Sequence, residues 1–74
     1  VNEVIVHGVP GDRRLKPGDL VTLDVTLELD GFWADSARTV AVGTPSPIGA
    51  RLIETAERAF AAGCEVVRPG RSLR

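Results

Sequence analysis

A strict alternation of apolar and polar side chains runs from Val21 to Asp30. A β-strand with one buried face has this period of two. The next residue completes an Asp30-Gly31 pair, which favours a two-residue hairpin loop of type I′. The segment therefore predicts an antiparallel β-hairpin whose second arm runs from Phe32 to about Val42.

Two aspartates of this hairpin are predicted to share one face. With a two-residue loop, Thr26 lies opposite Asp35 and Asp24 lies opposite Ala37. Asp24 and Asp35 are then diagonal neighbours, with Cα atoms roughly 7–8 Å apart. Carboxylates at that separation can converge on a divalent cation, which favours oxygen ligands. The same pattern also fits the solvent-exposed face of an antiparallel sheet, so the hairpin alone leaves both interpretations open.

One long helix is predicted after the hairpin. Ser46 is a favourable N-cap and Pro47 a favourable first helical residue. The helix should end near Val67, because the proline at position 69 cannot continue it. Cys64 is expected to be a buried, unreactive thiol beside the apolar stripe. Apolar residues at helical spacing are expected to form the packed face: Ile48, Leu52, Ala56, Ala59, Phe60, Gly63 and Val67.

The residues before the hairpin predict a short strand, a loop and a turn. Val4–Val6 are apolar enough for a strand, and the glycines and proline of residues 8–11 mark a loop. His7 lies where that strand would enter the loop, a common location for a functional side chain. A histidine that only hydrogen-bonds the nearby backbone fits the position as well. The Pro-Gly pair at 17–18 predicts a type II turn.

Composition excludes several classes of protein. The formal net charge is −1, without the basic stripe of a dedicated nucleic-acid binder. No apolar run approaches the ~18 residues of a membrane span, and no signal-like segment opens the chain. The single cysteine allows no internal disulfide, and there is no cysteine/histidine cluster for zinc. These features favour a soluble, cytoplasmic protein.

Three spaced segments together resemble the first part of the type I methionine aminopeptidases. They are V-N-E-V-I-V-H-G-V-P, L-K-P-G-D-L-V-T-L-D-V and D-G-F-W-A-D-S-A-R-T-V-A-V-G. The step of 17 positions from His7 to Asp24, and of 11 from Asp24 to Asp35, is compatible with that family. The resemblance extends over the whole chain, including the helix that begins at Ser46-Pro47.

The resemblance implies a fold and a metal site. The fold class is α+β, a partial pita-bread fold with an antiparallel hairpin and a short N-terminal strand packed by one long helix. Family members hold two divalent metal ions (Co, Mn, Fe or Zn) with two aspartates, one histidine and two glutamates. Asp24 matches the aspartate that binds one ion, and Asp35 matches the aspartate that bridges both. His7 matches the histidine that contacts the substrate and stabilises the transition state.

The function implied by the resemblance is removal of the initiator methionine from nascent proteins by metal-activated water. The substrate would be a peptide or nascent-protein N-terminus, and the parent protein would associate with the ribosome. Two alternatives stay open: a Xaa-Pro aminopeptidase or prolidase of the same fold, and a non-catalytic binding module of that fold.

The sequence departs from the family pattern beside the second aspartate. Ala34 precedes Asp35 where many members have glycine, and Ser36-Ala37 follow it where Thr-Ser or a similar pair is common. These positions flank the ligand without supplying it, so they bear on the subtype rather than on metal binding.

The remaining metal ligands are expected beyond Arg74. His7 is the only histidine, and three of the glutamates lie on the predicted helix, away from any sheet: Glu54, Glu57 and Glu65. Residues 1–74 are therefore expected to form a single partial domain of a larger metallopeptidase catalytic domain. By itself this fragment should bind metal weakly and have no peptidase activity.

Overall fold

The computed structural model describes residues 1–72, in which a two-stranded antiparallel sheet is followed by one helix. Strand β1 spans Leu20–Leu29, strand β2 spans Phe32–Ala41, and helix α1 spans Pro47–Val66. The predicted order of hairpin and helix is confirmed. The last two residues of the predicted domain, 73 and 74, lie outside the described residues.

The hairpin has the predicted turn and register. Leu29 pairs with Phe32, and every further pair follows without a bulge. Asp30 and Gly31 have φ angles of 53° and 82°, as a type I′ turn requires. The polar face of the hairpin consists of Thr22, Asp24, Thr26 and Glu28 with Trp33, Asp35, Ala37 and Thr39. The apolar face consists of Leu23, Val25, Leu27 and Leu29 with Phe32, Ala34, Ser36 and Arg38.

The short N-terminal strand predicted from Val4–Val6 is wrong. Residues 1–19 contain turns and loops but no strand. Asn2 and Val6 have φ angles of 50° and 43°, which lie in the left-handed region rather than the extended one. The Val4 amide donates to the Val1 carbonyl at 3.1 Å, so the segment folds back on itself. The apolar residues Val4–Val6 have no partner strand among the described residues, and a β-ladder cannot form without one.

A group of hydrogen bonds, here called the Asn2–Asp19 anchor, joins the beginning of the chain to the beginning of β1. The Asn2 amide nitrogen donates to Asp19 Oδ1 at 3.0 Å, and the Leu20 backbone amide donates to Asn2 Oδ1 at 2.8 Å. The Lys16 backbone amide donates to Asp19 Oδ2 at 2.9 Å. The Asn2 backbone amide also donates to the Leu20 carbonyl at 2.8 Å. The anchor therefore holds residues 1–2 against the strand that carries Asp24.

The turn before β1 is of the predicted type. Gly18 has a φ angle of 93°, and the Asp19 amide donates to the Lys16 carbonyl at 3.0 Å. A positive φ at the third position with this closing hydrogen bond is the pattern of a type II turn. The turn places the Asp19 carboxylate where the Asn2 side chain can reach it.

Helix α1 begins and ends as predicted. The Gly49 amide donates to Ser46 Oγ at 3.0 Å, and Pro47 is the first helical residue. At the other end, the Val67 amide donates to the Cys64 carbonyl at 3.3 Å. No helix within residues 1–72, including α1, has the length and hydropathy needed to cross a lipid bilayer.

Helix and hairpin bury little apolar surface between them. Among the described residues no hydrophobic side chain is buried. The predicted packed face of α1 is wrong in this respect, since Ile48 and Phe60 are 72% and 75% exposed. Cys64 is exposed rather than buried. Two strands and one helix cannot surround a side chain, so the apolar stripe exists but nothing within residues 1–72 covers it.

Candidate metal centre

The structure brings Asp24 and Asp35 onto the polar face of the hairpin. Asp24 lies at the middle of β1 opposite Ala37, and Asp35 lies on β2 opposite Thr26. The two carboxylates are therefore diagonal neighbours, as the turn predicted. Both residues are exposed. Local signals explain the placement, because the Asp-Gly turn sets the register and the period of two sets the face.

Thr26 contacts the Asp35 carboxylate across the two strands. Its hydroxyl donates to Asp35 Oδ1 at 3.1 Å. A hydrogen bond to one carboxylate oxygen restricts rotation of the group and leaves the other oxygen available. Asp35 is thus held by its cross-strand partner, Thr26.

The surroundings of the two aspartates are small and polar. Ala37, which has a small uncharged side chain, lies opposite Asp24. Further along the same face, the Thr22 and Thr39 hydroxyls form a hydrogen bond of 2.8 Å. Oxygen atoms therefore dominate this part of the polar face, and carboxylate oxygens suit hard or borderline divalent ions.

The two carboxylates fit only part of a metal-ligand set. No group of three or more histidine, cysteine, aspartate or glutamate side chains gathers within residues 1–72 in a way that could hold a metal. Glu57 on α1 instead pairs with Arg38, at an N–O distance of 3.5 Å. Asp24 and Asp35 could therefore contribute oxygens to a divalent ion, and the other ligands would have to come from elsewhere.

His7 does not join the two aspartates in such a group. It lies in the loop that follows the Asn2–Asp19 anchor, with an exposed side chain and a φ angle of 50°. The purely structural interpretation required a hydrogen bond between the imidazole and the nearby backbone. Within the described part of the chain, the imidazole forms no such bond. His7 is thus an accessible histidine on a segment tied to the start of β1.

An open cleft of about 470 Å³ lies between β2 and α1, and Asp35 borders it. Its helix side includes Ile53, Glu57 and Phe60. Because the cleft is open and Asp35 is exposed, its carboxylate is accessible to solvent.

Sequence reasoning did not assign a role to Thr26, Asn2 or Asp19. For Thr26 a signal was present, because the predicted register already paired it with Asp35. For Asn2 and Asp19 the contact joins residues 17 positions apart in the chain, and no local pattern indicates it.

The chain matches a known family along its entire length. The match is to metallopeptidase family M24 and covers residues 1–74. The chain is 45% identical to "Methionine aminopeptidase A" of Synechocystis sp. over 71 residues, which are 95% of this chain. It is 45% identical to "Methionine aminopeptidase" of Rickettsia prowazekii and 41% identical to "Methionine aminopeptidase 1" of Bacillus subtilis, over 99% of this chain in each case.

These relatives are much longer than this sequence. The chain spans 28% of the length of the Synechocystis and Rickettsia proteins and 29% of the Bacillus protein. No solved structure matches the chain. The family match over every residue, together with two carboxylates placed on one hairpin face, leads to one conclusion: the chain belongs to metallopeptidase family M24.

Proposed function

We propose that the full-length protein carrying this sequence is a metallo-aminopeptidase that removes the initiator methionine from nascent proteins. The observation that carries the proposal is the placement of Asp24 and Asp35 as diagonal neighbours on one face, in a chain of the M24 family. The relatives named methionine aminopeptidase support this substrate over a Xaa-Pro peptide or a non-catalytic role.

Asp24 and Asp35 are the residues of this chain that would hold divalent ions. Bound divalent ions supply Lewis-acid activation of water and of the substrate carbonyl. We assign Asp24 to one ion and Asp35 to a bridging position between two. Residues 1–74 then form a partial domain of pita-bread type, and by themselves they lack peptidase activity.

His7 is assigned to the substrate rather than to the metal. Its exposed imidazole can donate a hydrogen bond to the peptide at the bond being cleaved, where negative charge develops on the carbonyl oxygen. The Asn2–Asp19 anchor supports this assignment, because it ties the His7 segment to the strand that carries Asp24. His7 is therefore the one catalytic side chain, outside the metal ligands, that we assign in this chain.

The biological setting follows from the substrate. A nascent-protein N-terminus becomes available where translation occurs, which favours a cytoplasmic protein associated with the ribosome. The single cysteine is consistent with a reducing compartment.

The proposal is tested by release of methionine from a Met-Ala peptide. The full-length protein is stripped with a chelator and supplied with Co²⁺ or Mn²⁺. Asp24→Asn and Asp35→Asn should each lower kcat/KM more than about 100-fold, since loss of an outer-shell partner alone typically costs 10–100-fold. Asp30→Asn is the matched control. It makes the same change in charge on the same hairpin, and Asn-Gly favours the same turn.

Two results would count against the proposal. If Asp35→Asn kept the activity of Asp30→Asn, the assigned bridging role would be wrong. If the wild-type protein released no methionine with either ion but cleaved a Xaa-Pro peptide, the related peptidase activity would replace the one proposed.

A further inference from the structure

We propose that Thr26 is a positioning residue that orients the Asp35 carboxylate for metal binding. The proposal rests on the function proposed above, in which Asp35 is a metal ligand. Its own observation is the hydrogen bond of 3.1 Å from the Thr26 hydroxyl to Asp35 Oδ1.

The donor inventory of the pair allows this role. An ionised carboxylate has two oxygens with about four lone-pair directions, and a threonine hydroxyl donates one proton. If each Asp35 oxygen binds one ion, Oδ1 keeps a second lone pair for the Thr26 hydroxyl. The hydrogen bond would therefore be compatible with metal binding by the same carboxylate.

The effect of the bond is to reduce rotational freedom. The Asp35 side chain is exposed, so without a partner its carboxylate would rotate among several orientations, only some of which direct both oxygens beside Asp24. Carboxylates that bind metals are usually held by hydrogen bonds from neighbouring groups, and these partners affect metal affinity. Thr26 directly opposite Asp35 supplies such a partner from the facing strand.

The same face contains a second threonine that serves as a comparison. Thr22 lies on the same face of β1, two same-face positions before Thr26. Its hydroxyl bonds to the Thr39 hydroxyl at 2.8 Å rather than to a carboxylate. Thr22 and Thr26 therefore share residue type, strand, face and exposure. They differ in the group that each hydroxyl contacts.

Valine is a suitable replacement at both positions. It retains the β-branched shape and the high β-propensity of threonine while removing the hydroxyl. Because both side chains are exposed, loss of the hydroxyl leaves no buried polar atom unpaired. Thr26→Val should thus change the orientation of Asp35 with little effect on the stability of the hairpin.

The test is a calorimetric titration of Mn²⁺ into the metal-free full-length protein. Thr26→Val should raise the Kd for Mn²⁺ about 10–100-fold. Thr26→Ser, which keeps the hydroxyl, should restore most of the affinity, and Thr22→Val should bind as wild type does. The thermal midpoint of the metal-free Thr26→Val protein should match that of Thr22→Val. If Thr26 only stabilised the hairpin, the thermal midpoint of metal-free Thr26→Val would differ from that of Thr22→Val. Thr26→Ser would then not restore the affinity for Mn²⁺.

Asp35→Asn in the same titration separates the two proposals. If Asp35→Asn binds Mn²⁺ as tightly as wild type, Asp35 is not a ligand, and both the proposed function and the role of Thr26 are overturned. If Asp35→Asn loses affinity but Thr26→Val binds as Thr22→Val does, the role of Thr26 alone is overturned. Equal losses for Thr26→Val and Thr26→Ser would also contradict a role for the hydroxyl.

Discussion

Asp19 is the one charged side chain that is buried among the described residues. The Lys16 backbone amide, the Asn2 side chain and, more weakly, the Arg13 guanidinium hold the pKa of its carboxyl below the ordinary value of 3.8. All three favour the ionised form, because each donates a hydrogen bond or places positive charge near it. The ionised Asp19 is therefore the centre of the anchor that joins Asn2 to β1.

The charge of Asp19 predicts a pH-dependent stability. Asp19→Asn should lower the thermal midpoint of the full-length protein at pH 7. One carboxylate oxygen would be replaced by an NH₂ group, which cannot accept the hydrogen bond that the oxygen accepts. A group with a lowered folded-state pKa stabilises fully above its unfolded pKa and loses that effect as the pH falls through the folded-state value. The difference between wild type and Asp19→Asn should thus shrink below about pH 3.8.

Asp12→Asn is the control for this comparison. Asp12 is an exposed aspartate in the loop before the turn. Its replacement should leave the thermal midpoint unchanged both at pH 7 and below about pH 3.8. If Asp19→Asn and Asp12→Asn melted alike at pH 7, the anchor would contribute nothing to stability.

Helix α1 depends at its first turn on the Ser46 cap. The Gly49 amide donates to Ser46 Oγ, and loss of such a cap costs about 1 kcal/mol. Ser46→Ala should therefore make amide hydrogen exchange in residues 46–50 about fivefold faster, since 1 kcal/mol is roughly a factor of five in an equilibrium. Ser46→Asp should keep the slow exchange, because aspartate also caps helices and its charge is favourable there. Equal exchange in all three proteins would show that the cap has no effect.

The elements that sequence analysis predicted correctly are those with local signals. Asp30-Gly31 and the alternation of β1 were sufficient for the hairpin and its register, and Ser46 with Pro47 marked the beginning of α1. The strand at Val4–Val6 was wrong because strand formation depends on a partner, and the Val4 amide instead donates to the Val1 carbonyl within a turn. The placement of Asp24 with Asp35 was predictable for the same local reason, whereas the Asn2–Asp19 contact was not.

The whole molecule is open. Its accessible surface is 7098 Å², whereas a compact chain of this mass exposes about 4,400 Å². Its radius of gyration is 15.4 Å, against about 11 Å for a compact domain of this length. Apolar residues such as Leu29 and Phe32 are therefore 75% and 81% exposed, and nothing among the described residues covers them.

The central claim is that the hairpin gathers two metal-binding carboxylates on one face. The most direct test is a crystal structure of the full-length protein in Mn²⁺, with anomalous diffraction recorded at the manganese edge. Anomalous peaks are expected within about 2.0–2.6 Å of oxygens of both Asp24 and Asp35, the range for divalent ions and carboxylates. Peaks located only elsewhere, with both aspartates turned away from any ion, would contradict it.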